Sequence, residues 1–153
     1  MQGMQIRLVV TGLLSLVLGF AVAPGVSYAG GEATVTVEVV SGKKGASGTS
    51  EGASKHKRVL SRVGGFGGWK VEKSFQLRLG LGKTATQGVG TRSFSATLHS
   101  LSADKARTTF VVVDPRGKDH KLTSQLSNGA STVIIAEAPD GTGVQVFIIR
   151  VRY

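Results

Sequence analysis

Residues 92–113 read RSFSATLHSLSADKARTTFVVV. Phe94, Ala96 and Leu98 recur at every second position, and Phe110 and Val112 do the same after Ser102-Ala103-Asp104-Lys105. Alternate residues of a strand point to opposite faces, so each run presents one apolar row and one polar row. The small and polar residues between the runs favour a turn. The stretch therefore predicts two antiparallel neighbours, Arg92–Leu101 and Ala106–Val113, and with them a mainly β fold.

The same grammar continues toward the C-terminus. Asp114-Pro115-Arg116-Gly117 has the chemistry of a type I turn, with proline where a fixed φ is wanted. Asp114, like Asp104 and Asp140, is explained by turn duty. Lys121–Leu126 is a short strand. Asn128-Gly129 is the strongest hairpin signal in the chain, because both residues tolerate positive φ, and it should fold that strand back onto Thr132–Ala136. Asp140-Gly141 turns again, and Val144–Tyr153 closes the fold. In the final VFIIRVRY, Phe147, Ile149, Val151 and Tyr153 share one face while Val146, Ile148, Arg150 and Arg152 share the other. That ending resembles the C-terminal signature of outer-membrane barrels, which makes a small outer-membrane β-barrel the alternative reading. A spanning strand needs roughly 9–11 residues with an apolar lipid face and aromatic girdles at both interfaces. The candidate outward faces here are interrupted by Ser, Thr and Lys. The simpler expectation is a strand buried near Val146–Ile149 that then emerges, leaving Arg150 and Arg152 in water.

Upstream, Trp69–Leu81 reads as a long strand with Trp69, Val71, Phe75, Leu77, Leu79 and Leu81 on one side, interrupted by Lys73. Lys83–Thr91 is expected to be a loop. Glu32–Val40 alternates cleanly, Val35, Val37 and Val39 against Thr34, Thr36 and Glu38. Ser41–Ser54 lacks large apolar groups and should be a mobile loop. Lys55–Val63 is expected to be a short helix, with Ser54 as N-cap and Gly64-Gly65 as the stop. The expected architecture is an antiparallel sandwich or partly open barrel of about seven strands, with a short helix near 55–63.

The N-terminus has the three-part layout of a secretory signal. A short stretch ending in Arg7 precedes the uncharged apolar run Leu8–Ala23, and Ser27 and Ala29 supply small residues at a cleavage site. The expected organisation is a signal peptide over 1–29 and one β-rich domain over 30–153, exported to the periplasm or secreted. The chain has no cysteine, so the domain relies on a packed core and has no thiolate metal ligand. It holds 19 Lys and Arg against nine acids. Residues 43–92 contain eleven of the cations and two of the acids. An excess of this sign attracts anionic surfaces.

The candidate binding residues follow from that distribution. Lys55, Lys57, Arg58 and Arg62 lie within eight residues, with Phe66, Trp69 and Lys70 close behind. A basic and aromatic cluster suits a polyanion or membrane surface. The competing reading packs Leu60, Val63, Phe66 and Trp69 onto the sheet and leaves the cations in water. Catalytic signals are weak. LGLGKT (Leu79–Thr84) lacks the upstream glycine and following helix of a phosphate loop. His56, His99 and His120 lie on separate elements, and no GxSxG elbow occurs. No cofactor, metal or specific nucleic-acid partner is expected. A secreted hydrolase built from distant residues is a second alternative.

WKVEKSFQLRLGLGK, SFSATLHSLSADKARTTFVV, LSNGASTVIIAEAPDG and VFIIRV, in that order, resemble a group of uncharacterised exported bacterial β-rich proteins. The last two pieces also resemble the closing hairpin of secretin-associated domains. The resemblance implies an envelope β-domain that binds or scaffolds and supplies no catalytic residues; with the basic cluster, the expectation is an exported non-enzymatic module whose partner is a protein or an anionic envelope polymer.

Overall fold

Alternating apolar residues become eight antiparallel strands in a computed structural model that describes residues 31–116 and 118–153. The expected signal peptide lies outside the described residues. The strands are β1 (Glu32–Lys44), β2 (Phe66–Gly80), β3 (Thr84–Val89), β4 (Arg92–Leu101), β5 (Ala106–Val113), β6 (Asp119–Leu126), β7 (Ser131–Glu137) and β8 (Gly143–Arg152). They form two four-stranded sheets, ordered β2-β1-β8-β7 and β3-β4-β5-β6. The sheets face each other as a β-sandwich and do not close into a barrel. Between β1 and β2 lie a 3-10 helix, Glu51–His56, and a single α-turn, α1 (Lys57–Leu60).

The inner faces meet as the alternation requires. Val35, Val37 and Val39 of β1 and Phe147, Ile149 and Val151 of β8 oppose Phe94, Ala96 and Leu98 of β4 and Phe110 and Val112 of β5, all of them buried. Phe94 is the hub. Its ring meets Phe75 edge-on at 5.8 Å and stacks with Phe110 at 6.1 Å and Phe147 at 6.0 Å, within the range where aromatic pairs attract.

Five expectations are corrected. Residues 84–89, expected as loop, form edge strand β3. Thr84 and Thr86 set their hydroxyls against Thr97 (2.6 Å) and Ser95 (3.0 Å) of β4, so polar cross-strand pairs do what apolar alternation does elsewhere. Asn128-Gly129 does not close a hairpin, because β6 and β7 belong to different sheets. The turn is held instead by the end of β8. Asn128 Nδ2 donates to Tyr153 O (2.8 Å), Tyr153 N to Asn128 Oδ1 (3.0 Å) and Gly129 N to Val151 O (2.7 Å).

The long strand β2 does not keep one apolar face. Val39 pairs with Lys73 but Val40 pairs with Val71, leaving Glu72 as an extra residue. Such a bulge reverses which face later side chains occupy. Phe75, Leu77 and Leu79 therefore join the inner core, and Trp69 and Val71 join a second cluster on the outer face. Finally, much of the stretch expected as a mobile loop is paired. β1 continues to Lys44, Trp69 N donates to Gly48 O (3.2 Å), and Ser50 N donates to Trp69 O (2.8 Å). The helix starts earlier than expected and is mostly 3-10, and Ser54 Oγ donates to Glu51 O rather than capping the expected N-terminus.

Val40, Val144, Val146 and Ile148 on the outer face lie under Ala53, Leu60 and Trp69. Trp69 covers Gly42 so closely that a Cβ at position 42 would come within 2.6 Å of indole Cε3. Gly42→Ala is expected to displace the ring and destabilise the fold by about 1–3 kcal/mol. Trp69 is the only tryptophan, so a red-shifted emission in native buffer, with a lower urea midpoint, is the expected readout.

Candidate functional site

The 3-10 helix and α1 form a short ridge across the outer face of the first sheet. Ala53 and Leu60 point down and are buried. Ser61 N donates to Lys57 O (2.9 Å) and Val63 N to Leu60 O (3.0 Å), and Gly65 ends the ridge at φ +82°. With Ala53 and Leu60 buried on the sheet and Val63 half-buried against it, Lys55, Lys57, Arg58 and Arg62 are left exposed. A ridge this short is held by tertiary packing rather than by helix propensity.

Of the five residues singled out in the sequence, these four share the ridge and Lys70 does not. Lys70 pairs with Ser41 on β1 and lines a different cleft of about 400 Å³ with Lys43, Glu72 and Asp140. Trp69 is buried in the outer cluster and Phe66 is half-buried against it.

Two further cations come from the far end of the chain. Arg150 and Arg152 extend β8 beside the ridge and are exposed. Between them and the ridge lies a groove of about 300 Å³, floored by Thr36, Ile148 and Gln76 and walled by Lys55 and His56. Glu38 sits inside it. Lys55 Nζ lies 2.9 Å from its Oε2, and His56 Nε2 donates to its Oε1 at 3.0 Å. Burial pushes the Glu38 carboxyl up, but the hydrogen bonds from His56 and Lys55 outweigh it, and the net shift is downward. The acid at the centre of the groove is thus already matched by cations.

A second polar constellation, absent from the sequence expectations, joins the two sheets. Arg92 and Asp114 side chains are 1 % and 2 % exposed, with Arg92 Nη2 3.0 Å from Asp114 Oδ2. Arg92 Nη1 donates to Gln145 Oε1 (2.7 Å), and Nη2 also donates to the Glu137 carbonyl. Gln145 passes the chain on to Glu72 at the β2 bulge (3.0 Å). Asp114 is therefore more than a turn residue. The signal was available: Arg92 has the same parity as Phe94, Ala96 and Leu98, so the alternation points it inward.

Two of the three histidines have side-chain partners. His56 binds Glu38, and His99 Nε2 lies 2.6 Å from Thr109 Oγ1, itself 2.8 Å from Thr123 Oγ1. Among the described residues, no three His, Cys, Asp or Glu side chains are placed to hold a metal ion, and no helix is long and apolar enough to cross a membrane. No protein-family model, curated protein or solved structure matches this chain.

Hydrogen bonds from the Arg116 side chain and backbone, then from Arg92, hold the Asp114 carboxyl well below the usual carboxylate range. A depressed folded-state value contributes stability that is complete above the unfolded value, near 3.8, and is lost as pH falls further. Arg116→Ala is expected to lower the urea midpoint at neutral pH. The gap to wild type should narrow steadily as the pH is taken from about 4 downward.

Proposed function

We propose that this chain is an exported, non-enzymatic binding module of the cell envelope that holds an anionic polymer on the outer face of its first sheet. One observation carries the reading. Six exposed cations from two distant parts of the chain, Lys55, Lys57, Arg58, Arg62, Arg150 and Arg152, lie on that one face. Glu38, the acid within the groove, is engaged by Lys55 and His56.

The physical case is electrostatic. Clustered charge of one sign attracts a polyanion over distances set by screening, about 8 Å at physiological salt. Arginine adds planar donors that match carboxylate, sulfate or phosphate in pairs. The groove is open and lined by long side chains, which suits a linear polymer lying across it better than a small molecule enclosed by it.

The test is a titration against fluorescent heparin at several salt concentrations. Two variants carry it: the triple Lys57→Ala/Arg58→Ala/Arg62→Ala and the double Arg150→Ala/Arg152→Ala. Both should bind several-fold more weakly, with the salt dependence of log K flattened by about one unit per lost contact. Lys121→Ala, on the other sheet, should bind like wild type. Equal affinity and equal salt slope for wild type and both multiple variants would remove the polymer reading.

A further inference from the structure

We infer that β7 is a dimerisation edge: two copies of this chain pair antiparallel along Ser131–Glu137, joining their first sheets into one eight-stranded sheet.

An edge strand presents unpaired backbone N–H and C=O groups, and folded proteins usually guard such edges with lysine, proline, bulges or shortness. Three of the four edges here are guarded. β2 carries Lys70, Lys73 and two register breaks, and Lys73 Nζ reaches across to Gly88 O of β3 at 3.0 Å. β3 is six residues long, and β6 carries Asp119 and Lys121. β7 reads STVIIAE, has a strand partner on one side only among the described residues and bears no charge before its last residue, and of its outward backbone groups the Glu137 carbonyl is engaged by Arg92. Ile135, at its middle, is 47 % exposed. It opens onto an apolar groove of about 410 Å³ with Val133, Ile148, Val59 and Val63.

The edge is complementary to itself. Its outer-face row runs Ser131, Val133, Ile135, Glu137. An antiparallel copy centred on Ile134 sets Ile135 against the partner's Val133 and Glu137 beside the partner's Ser131. Arg150 already leans over Ser131, its Nε 3.3 Å from the hydroxyl, so its guanidinium faces the place where the partner's Glu137 arrives. A two-fold pairing makes two such contacts and closes on itself. The guarded β2 edge prevents further growth. The two-fold axis runs perpendicular to the sheet, so both basic ridges lie on the same side. On the polymer reading above, which this pairing does not need, that doubles the contact surface.

Sedimentation equilibrium of protein purified from cells expressing the full chain tests the pairing. Wild type should have the mass of two chains and Ile135→Lys that of one, with unchanged circular dichroism. Glu137→Arg should weaken dimerisation about tenfold or more, and adding Arg150→Glu to the same chain should restore it. A wild type that stays monomeric at all concentrations overturns the inference. So does a dimer that survives Ile135→Lys, or a Glu137→Arg defect that Arg150→Glu leaves unrepaired. Sedimentation of Lys57→Ala/Arg58→Ala/Arg62→Ala, which leaves the β7 edge intact, should still give the mass of two chains, so the pairing is read separately from the polymer proposal.

Discussion

Strand β8 has apolar side chains on both faces, and both can be kept from water only if a layer lies on each. The second sheet covers Phe147, Ile149 and Val151. The ridge covers Val144, Val146 and Ile148. Much of the architecture follows from this requirement. The β2 bulge at Glu72 divides that strand's apolar residues between the two clusters, giving Trp69 to the outer one and Phe75 to the inner. The glycine at position 42 lets the indole lie flat on β1. The segment between β1 and β2, poor in large apolar groups, contributes Ala53, Leu60 and the half-buried Val63 to the outer cluster.

The same requirement gives the outer face its chemistry. A ridge anchored by Ala53, Leu60 and Val63 leaves its long cationic side chains in solvent, and in this segment those are Lys55, Lys57, Arg58 and Arg62. β8 runs out from beneath the ridge and exposes its own arginines at the point where cover ends. A basic surface is thus a by-product of how the outer cluster is sealed. Charge inside the sandwich is handled differently. Arg92 is buried with Asp114, Gln145 and a carbonyl as partners, and a buried arginine without them would be strongly unfavourable. The network spans both sheets, so it also specifies how they sit against each other at that end.

The antiparallel sandwich was legible in the sequence where one face is apolar and the other polar. β1, β4 and β5 show that pattern, and their inward residues are those the alternation names. Legibility failed where another force sets the structure. β3 is held by hydroxyl pairs and backbone, which hydrophobic periodicity does not register. The Asn128-Gly129 turn has hairpin chemistry, but β8 supplies its partners from 22 or more residues away in sequence. The bulge at Glu72 follows from competition between two clusters, visible only once both layers exist. For the candidate site, the local run of cations was readable, and so was the choice between wet ridge and free aromatics once Trp69 was placed. The contribution of Arg150 and Arg152 was not, because only the β1–β8 pairing brings the last residues of the chain beside residues 55–62. Lys70 follows the others in sequence yet faces another cleft, because strand parity carries it to the opposite side of the sheet.

Native-state hydrogen exchange measures the two-sided burial of β8 directly, since the most deeply covered amides open only with global unfolding. The amides of residues 144–149 and of 35–40 should exchange slowest in the protein, with an opening free energy equal to that from urea unfolding. Those of edge strand β3 should exchange faster. If the β8 amides instead exchange as fast as those of β3, the ridge does not seal the outer face, and the layered burial described here is contradicted.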